Sequence, residues 1–425
     1  MVWIDLYQKF PWRHREVCKN YLFEDAVLGM LDTCRDAVSK NADPKKIKRI
    51  NGYKTRVVIV ERQLLHYRVD FYNHLRNLLA NDGIELQLLV GEGTASEKMK
   101  KDEVMVDWAY RIPTLYLPGT AICWQPFGRF AREADLVIVM HENKIIYNLW
   151  LLFFNRPKRI AFWGHGANLQ SGNPNGFKER FKRWTINKVD WWFAYTESSA
   201  AMVADAGFGS ERTTVVDNAV DTNQLTAFCK GVSMADCQRL REKLNLGNGP
   251  IGLYIGSLYK EKRLDFLLDA AHRIRVKIPT FQLLVVGAGP EQEKIENAAR
   301  SFPWISYLGP LKEKDKAEIL ALADVMLNPG LVGLGILDSF ASGKPMFTTD
   351  CGLHSPEISY LSTGKNGVMT RDDVDIYADT VSTALMRPET IGALSNGALS
   401  SAPRYTLENM AHRIRGGIRS CLSTQ

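Results

Sequence analysis

The sequence predicts an α/β protein: two doubly wound parallel-sheet domains facing a cleft, with an extra amino-terminal helical arm. Three observations carry this expectation. Short, uninterrupted apolar runs such as Val57-Val58-Ile59-Val60 and Leu283-Leu284-Val285-Val286 have the pattern of strands buried on both faces. These runs alternate with helix-length segments. Glycine-rich turns stand directly after several of them, where open α/β sheets bind ligands. At 425 residues the chain is long enough for two separate cores.

The elements follow in order. Residues 24–39 carry Ala26, Val27, Met30, Leu31, Cys34 and Val38 at helical spacing, and 43–49 form a basic linker. The arm, 1–53, is therefore read as an appended helical extension. The first domain, 54–226, is expected to hold strands at 57–60, 86–90, 136–139, 159–163, 190–195 and 213–216, with a helix over 71–79. A loose polar connection is expected from about 227 to 250. The second domain, 250–390, is expected to hold strands at 252–255, 283–286, 305–308, 325–327 and 345–348. A helical tail, 391–425, ends in a basic helix over 406–421.

The apolar fraction of 45% and the charged fraction of 24% are those of an ordinary globular chain. The net charge of +7 suits an anionic ligand or membrane surface and is too weak to argue for nucleic acid. The seven cysteines are scattered without metal-ligand spacing and read as reduced thiols of a cytoplasmic protein. No signal peptide is read at the start, which mixes charges with apolar residues. The longest apolar run, 145–154, is about half of what a spanning helix needs, so no transmembrane segment is expected. Residues 177–184 mix cations with aromatics at helical spacing. They suit a peripheral contact with the anionic inner face of a membrane, or a half-buried helix with a basic outer side.

Three loops of the second domain carry the chemistry. The first, Gly256-Ser257-Leu258-Tyr259-Lys260-Glu261-Lys262, places a flexible cation, Lys262, after the first strand, where it can balance a diphosphate. The second, Gly287-Ala288-Gly289-Pro290, joins a strand to a helix but lacks a full dinucleotide pattern, which argues against a nicotinamide dehydrogenase. The third runs Asn328-Pro329-Gly330-Leu331-Val332-Gly333-Leu334-Gly335 and leads to Asp338. Its amides suit phosphate and sugar oxygens, and the carboxylate suits a ribose diol. In the first domain His66, Arg68, Glu142 and Asn143 follow strands that open on the same cleft and are candidates for acceptor binding. The acidic run Asp372-Asp373-Val374-Asp375 precedes a helix, where acids are favoured by the helix dipole, and no metal site is read there.

On these motifs the second domain resembles the donor-binding domain of glycosyltransferase family 4, the retaining GT-B enzymes with two Rossmann-like domains. The family's Gly-Arg-Leu and following Lys correspond to Gly256-Ser257-Leu258 and Lys262. Its Gly-x-Gly-Pro turn corresponds to Gly287–Pro290, its two glutamates fall on Gly330 and Asp338, and its later pieces correspond to Gly343-Lys344-Pro345 and Pro356-Glu357. The resemblance covers about residues 56–390 and is most specific from 251 to 370.

It implies a glycosyltransferase in cell-surface polysaccharide or glycolipid synthesis, acting with retention and without metal or bound cofactor. The co-substrate would be a nucleotide sugar of UDP or GDP type, and the acceptor a saccharide or a lipid-linked one. Expected catalytic residues are His165, Lys262 and Asp338, with His165 near the reacting sugar. Expected donor contacts are Gly256, Ser257, Gly287, Gly289, Pro290, Gly309, Leu331, Val332, Gly333 and Leu334. Ser257 and Gly330 depart from the pattern by lacking an arginine and the first glutamate, and Asp338 is one methylene short. The chain is thus read as a variant, or as a degenerate member that binds a nucleotide sugar or partner without transfer.

Overall fold

The computed structural model describes residues 52–98, 103–154, 156–166 and 184–424. The expected arm helix at 24–39, its basic linker, and residues 177–183 of the cation–aromatic segment lie outside the described residues.

The first sheet contains β1 (Thr55–Glu61), β2 (Ile84–Val90), β3 (Tyr110–Arg111), β6 (Leu136–Met140), β7 (Ile160–Gly164), β8 (Trp191–Ala194) and β9 (Thr213–Val215). Its order is β3-β2-β1-β6-β7-β8-β9, all parallel. β6 and β7 are buried end to end and β1 at all but its two terminal residues, as their unbroken apolar runs require. A small antiparallel hairpin, β4 (Leu115–Tyr116) with β5 (Cys123–Trp124), lies outside the sheet. It and β3 are too short to leave a periodic signal. The main helices here are α1 (Val69–Asn81), α2 (Ala95–Lys98), α3 (Gly128–Glu133), α4 (Ile146–Phe153) and α5 (Glu197–Asp205).

The connection expected to be loose is two helices, α6 (Asn223–Gly231) and α7 (Met234–Lys243). The second fully buries no side chain, and only Cys237 and Leu240 pack partly buried on the core, too short a stripe to read. It is started locally, by a capping box in which the Ser233 hydroxyl accepts from the Asp236 amide and the Asp236 carboxylate accepts from the Ser233 amide.

The second sheet contains β10 (Ile251–Ile255), β11 (Gln282–Val286), β12 (Ile305–Tyr307), β13 (Val325–Leu327), β14 (Met346–Thr349) and β15 (Gly367–Thr370), in the parallel order β12-β11-β10-β13-β14-β15. Its helices are α8 (Leu264–Lys277), α9 (Gln292–Ser301), α10 (Glu313–Leu322), α11 (Gly335–Ser342), α12 (Val374–Leu385) and α13 (Pro388–Ser401). The last helix, α14 (Leu407–Ser423), returns to pack on α1, β8 and β9 of the first domain. Its buried face, Met410, Ala411, Ile414, Ile418 and Cys421, is the apolar stripe of an otherwise basic helix.

The two domains meet beyond β9. Asn218 Nδ2 donates to Glu357 Oε1 at 2.6 Å, and the Tyr360 hydroxyl donates to the Asn218 carbonyl at 3.1 Å. Asp217, 2% exposed, lies between Arg404 and Arg413. Among the described residues no helix is long and apolar enough to cross a membrane, and Cys123, Cys229, Cys237, Cys351 and Cys421 are unpaired.

Candidate active site

Each sheet has one place where consecutive connections leave in opposite directions. In the second sheet it lies between β10 and β13, and in the first between β1 and β6. Such switch points open a crevice beyond the carboxyl ends of the strands.

The second-domain crevice is walled by the loops after β10 and β13. Lys262 ends a 3-10 turn, Lys260–Lys262, and its Nζ donates to the Leu331 carbonyl while lying 5.5 Å from the Tyr259 ring centre. Burial pushes the ammonium down to about 8, because the charged form loses hydration. The two loops also join through the backbone, the Leu331 amide donating to the Glu261 carbonyl at 2.9 Å. Gly330 stands at this crossing. A Cβ added there would lie 2.4 Å from the Glu261 carbonyl oxygen and 2.6 Å from that of Lys262. The position where the resembled family carries a glutamate therefore has no room for a side chain of any kind.

The glycines of the second loop have the same cause. Gly287 and Gly289 have φ of +138° and +159°, and added Cβ atoms would strike the carbonyl oxygens of Gly256 at 1.8 Å and Leu258 at 2.3 Å. The loops lock together: the Leu258 amide donates to the Ala288 carbonyl, and the Glu291 amide to the Leu258 carbonyl, both at 2.9 Å. Gly309 accepts the Gly287 amide at 2.9 Å, so three of the expected donor loops form one rim. Ser257 is exposed on that rim, as is Pro290.

Of the four amides expected to meet the donor, two are engaged. Leu331 gives its N–H to Glu261, and Val332 gives its N–H to His354 Nδ1 at 3.1 Å. This bond, with His354 Nε2 2.8 Å from the Thr349 carbonyl, makes Nδ1 the acceptor and Nε2 the donor. Gly333 and Leu334 instead lead into α11, whose Ile336 and Leu337 amides are already turned onto the Gly333 and Leu334 carbonyls at 3.2 and 2.9 Å. Asp338, one turn along, forms an ion pair with Lys316 of α10 at 3.0 Å. Burial raises its carboxyl, with Lys316 acting in the opposite sense. A ribose at Asp338 would share the carboxylate with that ammonium. His354 and Lys316 escaped sequence reasoning because their partners are distant in sequence and no periodicity marks them.

The first-domain crevice gathers residues from four strand ends. Glu61 ends β1 and accepts the Tyr72 hydroxyl. Arg68, at the start of α1, holds its guanidinium 5.3 Å from the Trp163 ring centre and 5.9 Å from that of Tyr195. His165 follows β7, half-buried, with its ring centre 4.4 Å from that of Tyr195. Glu142 follows β6 and pairs with Lys144 at 2.9 Å; Asn143 beside it has a buried Oδ1 without a hydrogen-bond partner. Burial raises the Glu61 carboxyl, and Arg68 opposes that rise. His66, by contrast, is exposed and packs edge-on to Tyr67. Glu61 and Tyr72 were missed, since a carboxylate closing an apolar strand has no distinctive spacing.

The acidic run is accounted for residue by residue. Asp372 pairs with Arg263, Asp375 with Arg273, and Asp373 caps α12 by accepting from the amides of Asp375 and Ile376 at 2.9 and 3.0 Å. Among the described residues no group of His, Cys, Asp and Glu side chains gathers to hold a metal ion.

This architecture matches solved structures along nearly the whole chain. Anabaena Alr3699/HepE in complex with UDP superposes with a TM-score of 0.63 over 86% of this chain and 100% of that one, at 16% identity. WaaG, a glycosyltransferase involved in lipopolysaccharide biosynthesis, gives 0.56 over 84% and 98%, at 14% identity. The fold is GT-B. Within this GT-B chain, residues 249–387 match the family described as Glycosyl transferases group 1. That stretch holds both walls of the second crevice.

Sequence relatives agree over part of their length. A GDP-mannose-dependent alpha-(1-6)-phosphatidylinositol monomannoside mannosyltransferase of Mycolicibacterium smegmatis is 27% identical over 42% of this chain and 48% of its own. The putative glycosyltransferase EpsD of Bacillus subtilis is 26% identical over 42% and 49%. The chain thus spans about half the length of the curated relatives it matches.

Proposed function

We propose that this GT-B chain is a glycosyltransferase that moves a hexose from a nucleoside diphosphate sugar of UDP or GDP type to a saccharide or lipid-linked hydroxyl. The observation that carries the reading is the second crevice itself. Lys262 and the glycine-rich turn through Gly333 and Leu334 into α11 meet at the β10/β13 switch point, inside the stretch that matches the glycosyl transferase family. In the step envisaged, the bond between the anomeric carbon and the diphosphate oxygen breaks. The acceptor oxygen bonds to that carbon, and its proton passes to the departing phosphate. Lys262 and the amides of that turn stabilise the charge left on the diphosphate. No protein nucleophile and no metal ion is required, and the product keeps the donor's anomeric configuration, as in family 4.

His165 stands on the opposite side of the cleft, where it would orient the acceptor or donor hydroxyls. The acceptor is taken to be a glycolipid or a cell-surface polysaccharide precursor at the cytoplasmic face of a membrane. A stacked pair of exposed rings supports membrane contact. Phe153 and Trp184 lie 5.3 Å apart, with the Lys188 ammonium 5.1 Å from the Trp184 ring centre.

The test is transfer from UDP-glucose, GDP-mannose and related donors to lipid-extract and oligosaccharide acceptors, followed by mass spectrometry with EDTA present and absent. Product formation by wild type and its loss in Lys262→Ala support the reading. A purified chain that binds none of these donors refutes it.

A second reading, donor binding without transfer, rests on the closed Gly330 position and the engaged Leu331 and Val332 amides. Tight donor binding with neither transfer nor donor hydrolysis would select it.

A further inference from the structure

The second crevice is short of positive charge for the ligand proposed. A nucleoside diphosphate sugar carries a negative charge on each phosphate, and departure of the sugar adds another. Among the described residues, two neighbouring cations of that crevice are committed elsewhere. Arg263 bonds Asp372 and the Thr349 hydroxyl, and Lys316 pairs with Asp338. Lys262 is left as the buried ammonium facing the loops, with Lys260 of the same turn out in solvent.

On the other side of the cleft the opposite imbalance holds. Arg68 lies at the first domain's switch point, at the end of the 3-10 turn His66–Arg68. It has no ion pair among the described residues, and its buried Nη1 has no hydrogen-bond partner. Its surroundings are the rings of Tyr67, Trp163 and Tyr195, with centres 5.7, 5.3 and 5.9 Å from Cζ. Glu61, the carboxylate closest in effect, accepts the Tyr72 hydroxyl and acts on the guanidinium through space, without a direct ion pair. Ring faces hold a cation in position and still leave its N–H groups unused. A buried guanidinium nitrogen without an acceptor costs stability, which an anion bound at that nitrogen would recover.

We propose that Arg68 is a second phosphate-binding group of the cleft, contributed by the amino-terminal domain, and that its ligand is the diphosphate of the donor. The inference rests on the donor site proposed above. Arg68 and Lys262 would grip the diphosphate from opposite lips, so donor binding would favour closure of the two domains. A guanidinium fork suits phosphate oxygens better than a second ammonium.

The test is isothermal titration of UDP, GDP and inorganic pyrophosphate into wild type, Arg68→Ala, Arg68→Lys and Lys262→Ala, each checked by thermal unfolding. For the nucleotide that wild type binds, Arg68→Ala is expected to weaken affinity about ten- to a hundredfold, as for loss of a charge-assisted bond. Arg68→Lys is expected to fall between the two, with a shallower salt dependence for the alanine variant. Thermal unfolding of Arg68→Ala serves to show that the variant folds, since it removes both an unpartnered Nη1 and the cation that opposes the rise of the Glu61 carboxyl, two effects of opposite sign. Equal affinities for wild type and both Arg68 variants overturn the proposal. So does a defect confined to the acceptor's KM, which would place an acceptor phosphate at Arg68 instead. If Lys262→Ala loses binding while Arg68→Ala keeps it, only this inference falls. If wild type binds neither nucleotide nor pyrophosphate, the donor site falls with it.

Discussion

The closed position at Gly330 makes a sharp prediction, because restoring the residue type of the resembled family there should harm the protein. An alanine Cβ at 330 would lie 2.4 Å from the Glu261 carbonyl oxygen, whereas ordinary contact begins at 3.4 Å. The atoms it would meet are backbone atoms of Glu261 and Lys262, so no side chain can swing aside. The two loops must part by about 1 Å, which breaks or stretches the Leu331-to-Glu261 hydrogen bond of 2.9 Å. Overpacking of this kind costs about 2 kcal/mol. For a domain of this size that lowers Tm by about 4–8 °C. The same displacement carries Lys262 away from the crevice, and a misplacement of about 1 Å in a catalytic group costs about a hundredfold in rate. Thermal unfolding and donor titration of Gly330→Ala and Gly330→Glu read both effects, with the glutamate variant expected to be the worse. An alanine variant with unchanged melting and donor affinity would refute the close-packing argument, and so would a glutamate variant with raised turnover.

Other expectations follow from single groups. Lys262, pushed down to about 8 from the 10.5 of a free lysine, is charged below pH 8 and neutral above it in the folded chain. Diphosphate affinity should therefore decline above pH 8 by up to about tenfold per pH unit, and titrations of Lys262→Ala should lack this slope. Between about pH 8 and 10.5 the unfolded chain binds the extra proton, so this lysine makes the ligand-free protein more stable as pH rises through that window; a Lys262→Met variant should lose that rise in denaturant melts. Lys316→Ala would leave the Asp338 carboxyl buried without its cation at 3.0 Å, raising its apparent pKa further and lowering Tm; unchanged Tm and donor affinity would remove the pair from the site's support. Asp217→Ala would unpair Arg413 and leave Arg404 only its bridge to Glu197 at 3.3 Å, and cost about 3 kcal/mol, the low end for a broken buried pair because both arginines reach solvent; a denaturant midpoint equal to wild type would exclude this clamp.

The sequence by itself determined the layered plan, because a strand buried on both faces must be written as an unbroken apolar run. The strands at 57–60, 136–139, 283–286 and 325–327 all lie within observed strands for that reason. Glycine-rich loops were equally legible, since positive φ and close backbone approach exclude a Cβ, as at Gly287 and Gly289. The helices α6 and α7 were not, because their apolar stripes are short, Leu225, Phe228 and Cys229 in one and the partly buried Cys237 and Leu240 in the other, and the start of α7 rests on the local Ser233–Asp236 cap. Partner choice was beyond sequence altogether. Whether Val332 offers its amide to a ligand or to His354, whether Asp338 is free or tied to Lys316, and whether Arg68 meets a carboxylate or only aromatic rings are decided among groups far apart in the chain. Hydrogen bonds and ion pairs act over a few ångströms, so only the tertiary structure, which sets those separations, could assign them.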